Sequence, residues 1–239
     1  MKLLVSVVDA DEARAAAAAG ADIVDVKNPA EGSLGAPAPA VIADVRAAVP
    51  AELPVSAAIG DMPNLPGTAA LAALGAAQSG ATFVKVGLWG ATTEADAVAL
   101  LRAVRAGVPG SVVVAAAYAD AERVAPAAPL APAWLPRVAR AAGAETCLLD
   151  TAVKDGRGLL EWLSPDALTA LVADAHARGL QVALAGALRA DDLPVIRATG
   201  ADIAGVRSAA CHDGRRAGRL DGQRVRALRR YATAGVSVS

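Results

Sequence analysis

A chain of 239 residues, 55% hydrophobic and only 3% aromatic, is long enough to bury one sizeable core built from Ala, Val, Leu and Ile. Its formal net charge of -1 argues against an electrostatic nucleic-acid binder. Two distant cysteines without a C-x-x-C spacing exclude a disulfide framework or zinc knuckle and fit a reducing, cytoplasmic setting. The N-terminus lacks a signal-peptide pattern, and no apolar run reaches membrane-spanning length.

In chain order, short β-branched runs at 2–8, 22–27, 54–59, 82–87, 110–117, 145–150, 181–185 and 202–206 predict strands. Ala-rich, charge-spaced stretches near 11–19, 38–48, 67–78, 93–106, 133–142, 165–178, 190–198 and 221–231 predict helices between and after them. Asp9 with Glu12 has the capping-box spacing for the first helix, and Gly20 ends it. Ser164-Pro165 opens a later helix that Gly179 closes. The phrase Gly20-Ala21-Asp22-Ile23 returns as Gly80-Ala81-Thr82-Phe83, Gly143-Ala144-Glu145-Thr146 and Gly200-Ala201-Asp202-Ile203, marking a recurrent helix-to-strand turn. Eight such units predict an α/β fold, a single (β/α)₈ TIM-barrel domain over residues 1–239. No G-x-G-x-x-G follows the first strand, so a dinucleotide fold has little support.

The longer connections, 28–37, 60–66, 118–132 and 207–220, all follow strands and therefore open on the C-terminal face, where barrel active sites form. Pro126, Pro129 and Pro132 stiffen the third of these, which suits either a lid or a tolerated surface insertion. The basic stretch from Arg215 to Arg230 reads as a solvated helix face and its approach, with binding of phosphate-rich partners as the alternative. An exposed apolar helix face would offer a surface for a homo-oligomer, as barrels commonly assemble.

Four lysines stand among 23 basic residues, and three of them fall at strand ends or just beyond. Asp25 and Lys27 are two apart at the end of the second strand, so their side chains face the same way. Lys85 ends the fourth strand, Asp150 ends the sixth, and Lys154 follows four residues later. An amine that attacks a carbonyl must spend time neutral, and nearby cations lower its pKa toward that state. A carboxylate can then shuttle protons. The residues alone leave open which of the three lysines is the nucleophile, and ordinary Asp–Lys loop fasteners are the alternative. Gly186 after the seventh strand, with Gly205, Arg207 and Ser208 at the eighth, suits a phosphate site built from backbone N–H groups and side-chain donors. His176 reads as a surface residue and His212 as a weak site candidate. The two do not form a metal-ligand spacing, and Ser6 and Ser56 face the barrel interior without a triad partner.

The strings Asp25-Val26-Lys27-Asn28-Pro29-Ala30-Glu31-Gly32-Ser33-Leu34-Gly35, Lys85-Val86-Gly87-Leu88-Trp89-Gly90 and Asp150-Thr151-Ala152-Val153-Lys154-Asp155-Gly156 carry a resemblance to the (5-formylfuran-3-yl)methyl phosphate synthases of methanofuran biosynthesis. Gly60-Asp61-Met62-Pro63, Tyr118-Ala119-Asp120 and Gly205-Val206-Arg207 also correspond, and the likeness spans almost the whole chain. The resemblance implies a lyase without organic cofactor that converts two molecules of glyceraldehyde 3-phosphate into a phosphorylated furan aldehyde. It also implies that Lys27 forms the Schiff base, with Asp25, Lys85, Asp150 and Lys154 as acid, base and phosphate-holding groups. The sequence departs from the family pattern at Leu65, where a lysine is common, and at Ser208, where a glycine often follows the arginine. A different sugar-phosphate aldolase, or a phosphate-metabolite sensor without turnover, are the competing readings.

Overall fold

The computed structural model describes residues 1–124 and 128–233. Eight parallel strands close into a barrel in sequential order: β1 (Lys2–Val7), β2 (Ile23–Val26), β3 (Val55–Asp61), β4 (Phe83–Gly87), β5 (Val112–Tyr118), β6 (Thr146–Asp150), β7 (Gln181–Leu184) and β8 (Ile203–Val206). Helices α1 (Ala10–Ala18), α2 (Pro39–Ala48), α3 (Pro66–Gln78), α4 (Glu94–Gly107), α5 (Leu135–Ala142), α6 (Pro165–Ala177), α7 (Leu193–Ala198) and α8 (Gly222–Thr233) follow the strands in turn. This is the (β/α)₈ architecture expected from the alternation of runs.

Local chemistry sets the boundaries. The Asp9 side chain accepts the Glu12 N–H to cap α1, and Ser164 caps α6 with Pro165 in the first turn. The recurrent Gly-Ala turn works because its glycine leaves the helix at positive φ, for example 76° at Gly143. The acidic residue two places on then accepts a backbone N–H from the preceding strand. Asp22 takes that of Leu3 at 2.7 Å, Glu145 that of Val113 at 2.8 Å and Asp202 that of Val182 at 2.7 Å. Three of the four turns thus satisfy a backbone donor near the N-terminal rim of the barrel, and the fourth has Thr82 in the acidic position.

Along every strand the side chains alternate between two apolar regions. Val24 and Val26 of β2, or Cys147 and Leu149 of β6, pack outward against the helix ring. Ile23, Ala58, Val114, Leu148, Ala183 and Ile203 point inward and give the barrel interior an apolar floor. Nearly every strand position is buried, which is why the strands read as continuous apolar runs. The inward residues nearest the C-terminal ends are polar, and they form the site.

At the outer layer, Leu149 is fully buried. Leu149→Ala is expected to lower the unfolding free energy by about 2–5 kcal/mol, read as a lower urea midpoint by circular dichroism.

Candidate active site

A cavity of ≈250 Å³ opens at the C-terminal end of the barrel. Its size lies just below the range of about 300–1,000 Å³ usual for small-molecule pockets. Asp25, Lys27, Lys85, Asp150 and Lys154 all line it, together with Gly186, Gly205, Arg207 and Ser208, so every predicted site residue reaches the same space.

Register explains the convergence. Asp25 pairs with Ser6 on β1 and Ser56 on β3, so that these three polar side chains stand side by side inside the barrel. The Ser6 hydroxyl donates to Asp25 Oδ2 at 2.8 Å, and Lys85 Nζ forms an ion pair with Asp25 Oδ1 at 2.6 Å. Across the mouth, Lys154 Nζ donates to Asp150 Oδ1 at 2.7 Å and to Thr151 Oγ1 at 3.1 Å. Burial alone would raise the Asp150 pKa. The ammonium groups of Lys154 and Lys27, with hydrogen bonds from Lys154 and the Thr151 N–H, outweigh burial and hold it below the ordinary carboxylate value.

Lys27 differs from its neighbours. It is 7% exposed, and its side-chain amine makes neither a hydrogen bond nor an ion pair among the described residues. Desolvation lowers its pKa to about 7; Asp150 and Asp25 oppose that shift, while Lys85 and Lys154 reinforce it. An amine with such a pKa is substantially neutral at neutral pH and can attack a carbonyl.

The loops above this layer are tied to one another. Asp61, at the end of β3, accepts the Ser33 N–H at 2.7 Å, the Leu34 N–H at 3.2 Å and the Tyr118 hydroxyl at 2.5 Å. A Cβ at position 32 would lie 2.3 Å from Asp61 Oδ2, and its φ of 126° also demands glycine. Burial, and then the charge of Asp61, raise the Tyr118 pKa well above its ordinary value, keeping the phenol a donor. Asp120 accepts the Ala152 and Val153 N–H groups at 2.5 and 2.9 Å, and the Ser33 hydroxyl donates to Thr151 O at 2.7 Å. The connection 151–164, not singled out as long in the sequence, is therefore a main wall of the site.

Several expectations change. Arg207 lines the cavity, but its guanidinium turns away: it pairs with buried Glu12 and donates to Ser6 O, Gly218 O and Arg216 O. It is a fastener of the 207–220 loop rather than a free phosphate donor. Arg216, assigned from sequence to a solvated stretch, enters the cavity instead, and its Nη2 donates to Gly32 O at 2.5 Å and Ser33 O at 3.1 Å. The signal that separates them is absent from the sequence, because it depends on Glu12 of α1 being 195 residues away and underneath Arg207. Ala187 adopts a positive φ of 49° beside Gly186, a strained conformation of the kind that accumulates at ligand sites. His176 is paired with Asp202 on the outer surface, and exposed His212 lies 3.4 Å from Asp221 outside the cavity lining. Leu65 is 54% exposed ahead of α3 and does not line the cavity. In the 118–132 connection Pro126 lies outside the described residues, while Arg123 pairs with Asp155 at 2.7 Å and Leu130 N donates to Ala91 O at 2.9 Å. Among the described residues no group of three or more His, Cys, Asp or Glu converges as a metal site requires, and no helix is long and apolar enough to cross a membrane.

Comparison with known proteins gives concordant results. The profile of the family described as 4-HFC-P synthase matches residues 3–229. The (5-formylfuran-3-yl)methyl phosphate synthase of Methanocaldococcus jannaschii is 48% identical over 234 residues, covering 96% of this chain and 98% of that protein. A putative (5-formylfuran-3-yl)methyl phosphate synthase of Streptomyces griseus is 50% identical over 236 residues, covering 96% and 93%. Among solved structures, 3-hexulose-6-phosphate synthase from Salmonella typhimurium superposes with a TM-score of 0.66 at 18% identity, covering 97% of this chain and 98% of that one. Phosphoribosyl anthranilate isomerase from Thermus thermophilus gives 0.62 at 18% identity, covering 97% and 98%. These two likenesses are of fold.

Two expectations follow from the geometry. Glu12→Gln leaves the buried Arg207 charge without its partner and is expected to cost about 3–5 kcal/mol. In urea titrations the double variant Glu12→Gln/Arg207→Met should lose less than Glu12→Gln alone. Lys27 has a folded pKa of about 7, below its ordinary value of 10.5, so the folded state binds fewer protons than the unfolded one between those values. Its burial therefore disfavours folding fully below pH 7 and progressively less as pH rises toward 10.5. Lys27→Met should accordingly raise the melting temperature most at pH 6 and least at pH 10. A gain that is flat with pH would contradict the buried-amine description.

Proposed function

The chain belongs to the 4-HFC-P synthase family, and from that premise we propose that it is an enzyme making (5-formylfuran-3-yl)methyl phosphate from two molecules of glyceraldehyde 3-phosphate through a Schiff base on Lys27. The observation that carries the reading is the buried, unpaired Lys27 amine with a pKa of about 7, set between the Asp25–Lys85 and Lys154–Asp150 pairs.

In this reading one triose phosphate isomerises to the dihydroxyacetone form. The neutral Lys27 Nζ attacks its carbonyl carbon, and loss of water from the carbinolamine gives an imine. Imine formation acidifies the neighbouring carbon, from which the Asp25 carboxylate takes a proton to give an enamine, with Lys85 as its hydrogen-bonded proton carrier. The enamine carbon attacks the aldehyde of the second triose, forming the new carbon–carbon bond, and a proton returns to the resulting alkoxide. Elimination of one phosphate, ring closure through a hydroxyl oxygen, further loss of water and release of the amine complete the aromatic furan. Two trioses minus one phosphate and two waters balance the product, with no oxidant or reductant required.

The ion pairs suit these proton movements. Asp150, held ionised by Lys154 and Lys27, can steady the protonated imine by charge and exchange protons through Lys154. Asp25 is bracketed by the Ser6 hydroxyl and Lys85, an arrangement in which one carboxylate meets both a donor and a proton carrier. Gly186, Ala187 and Ser208 line the same cavity, and their backbone N–H groups would hold one substrate phosphate, as the corresponding rim does in many barrels.

Incubation of the purified protein with glyceraldehyde 3-phosphate alone should yield the phosphorylated furan aldehyde by mass spectrometry. Borohydride should trap a triose adduct on Lys27, and Lys27→Ala should abolish both. Trapping should rise with pH through about 7 and then level, because the cavity lowers the pKa of this amine to that value. Furan formation by a folded Lys27→Ala protein would sink the Schiff-base assignment.

A further inference from the structure

Six cationic residues line the cavity, and four of them have a carboxylate partner: Lys85 with Asp25, Lys154 with Asp150, Arg157 with Asp155 and Arg207 with Glu12. Lys27 and Arg216 have none among the described residues. Lys27 is the amine that loses its proton near neutrality, whereas a guanidinium keeps its charge. A phosphate dianion entering this cavity therefore meets one permanent, unneutralised cation. The Arg216 side chain is also only partly used. Nη2 is held by the carbonyls of Gly32 and Ser33, but Nε is buried without a hydrogen-bond partner and Nη1 makes no hydrogen bond among the described residues. A buried donor left unmade is costly unless something completes it.

We propose that Arg216 binds the phosphate of a triose phosphate in the cavity, its Nε and Nη1 donating to phosphate oxygens while Nη2 keeps hold of the 28–37 loop. This deepens the functional reading above and rests on it for the identity of the substrate. The planar fork is what allows both tasks at once: one edge is fixed by neutral carbonyls, which orient it without cancelling its charge, and the rest is presented to the anion. Arg207 becomes a positioning residue for this purpose. Its bonds to Arg216 O, Gly218 O and Glu12 fix the loop that carries Arg216 into the cavity. Burial lowers the Arg216 pKa, with Asp150 and Asp61 opposing the shift, which places the guanidinium within electrostatic reach of the carboxylate that faces Lys27.

The test uses the full chain and two probes. Inorganic phosphate titrated by calorimetry should bind the wild type, and Arg216→Gln should weaken that binding by about tenfold or more, as loss of hydrogen bonds to a charged group implies. Borohydride trapping on Lys27 should favour glyceraldehyde 3-phosphate over unphosphorylated glyceraldehyde in the wild type. Arg216→Gln should erase that preference while glyceraldehyde is still trapped. Ser33→Ala removes the tie to Thr151 O without touching the charge, and thermal unfolding of each variant checks the fold. If Arg216→Gln does not fold, Arg216→Lys should show an intermediate loss, since an ammonium cannot both hold two carbonyls and present a fork.

A folded Arg216→Gln, or failing that Arg216→Lys, with wild-type phosphate affinity and preference would overturn the proposal while leaving Lys27 chemistry intact. An equal loss in Ser33→Ala would also overturn it, assigning the effect to loop position. A wild-type protein that traps neither compound would remove the functional reading, and the proposal with it.

Discussion

Burying the amine of Lys27 inside a barrel built mainly from Ala, Val, Leu and Ile disfavours its charged form, and the charges around it decide how far. Each neighbouring lysine is matched to an aspartate, so the mouth holds two nearly neutral pairs rather than three competing cations. That arrangement leaves Lys27 without a fixed partner. Moving Asp150 into direct contact would restore the ammonium. Removing Asp150 would leave burial and two nearby ammonium groups to drive the pKa lower still. The balance needs each carboxylate near but already occupied, which requires side chains held by something stiffer than their own rotamers.

The stiffness comes from aspartates used as loop anchors. Asp61 collects two backbone N–H groups of the 28–37 loop and the Tyr118 hydroxyl, while Asp120 collects two N–H groups of the 151–164 connection. Ser33 then joins the two loops through Thr151 O, next to Asp150. Because the anchors sit at the ends of β3 and β5, the loops inherit the register of the barrel. The same residue type thus plays two parts here: Asp61 and Asp120 spend their oxygens on structure, whereas Asp25 and Asp150 face the amines.

The barrel was legible because its signals are local. Alternating apolar runs, the Gly-Ala-acid turn and the caps at Asp9 and Ser164 each act within a few residues, and their boundaries fall within two or three residues of the elements formed. β3 runs to Asp61 rather than ending at Ile59, with a register shift in its pairing to β4 between Ala58 and Asp61. The amine and carboxylate set was legible for a related reason. In a barrel the position of a residue along its strand nearly fixes its depth, so polar residues at C-terminal strand ends must meet. Choosing Lys27 among the lysines needed the family resemblance at first. Burial does not separate it from Lys85, but among the described residues Lys27 lacks the carboxylate partner that Lys85 and Lys154 each have.

Loop residues escape that logic, and the two arginines after β8 show why. Arg207 stands directly after a strand, the position from which a side chain ordinarily enters the site, yet buried Glu12 on α1 draws it sideways into the helix ring. Arg216 follows nine residues later in a basic stretch whose composition suggests solvent, yet the turn closed by the Cys211–Leu220 bridge brings it back over the cavity. The two observations are one: Arg207 binds Glu12 and then uses its remaining donors on Arg216 O and Gly218 O, so the charge lost from the cavity wall at position 207 is the means by which the charge at 216 arrives there. A substitution at Glu12, remote from the cavity in sequence and outside its lining, therefore acts on the site through the backbone of the 207–220 loop rather than through the amines.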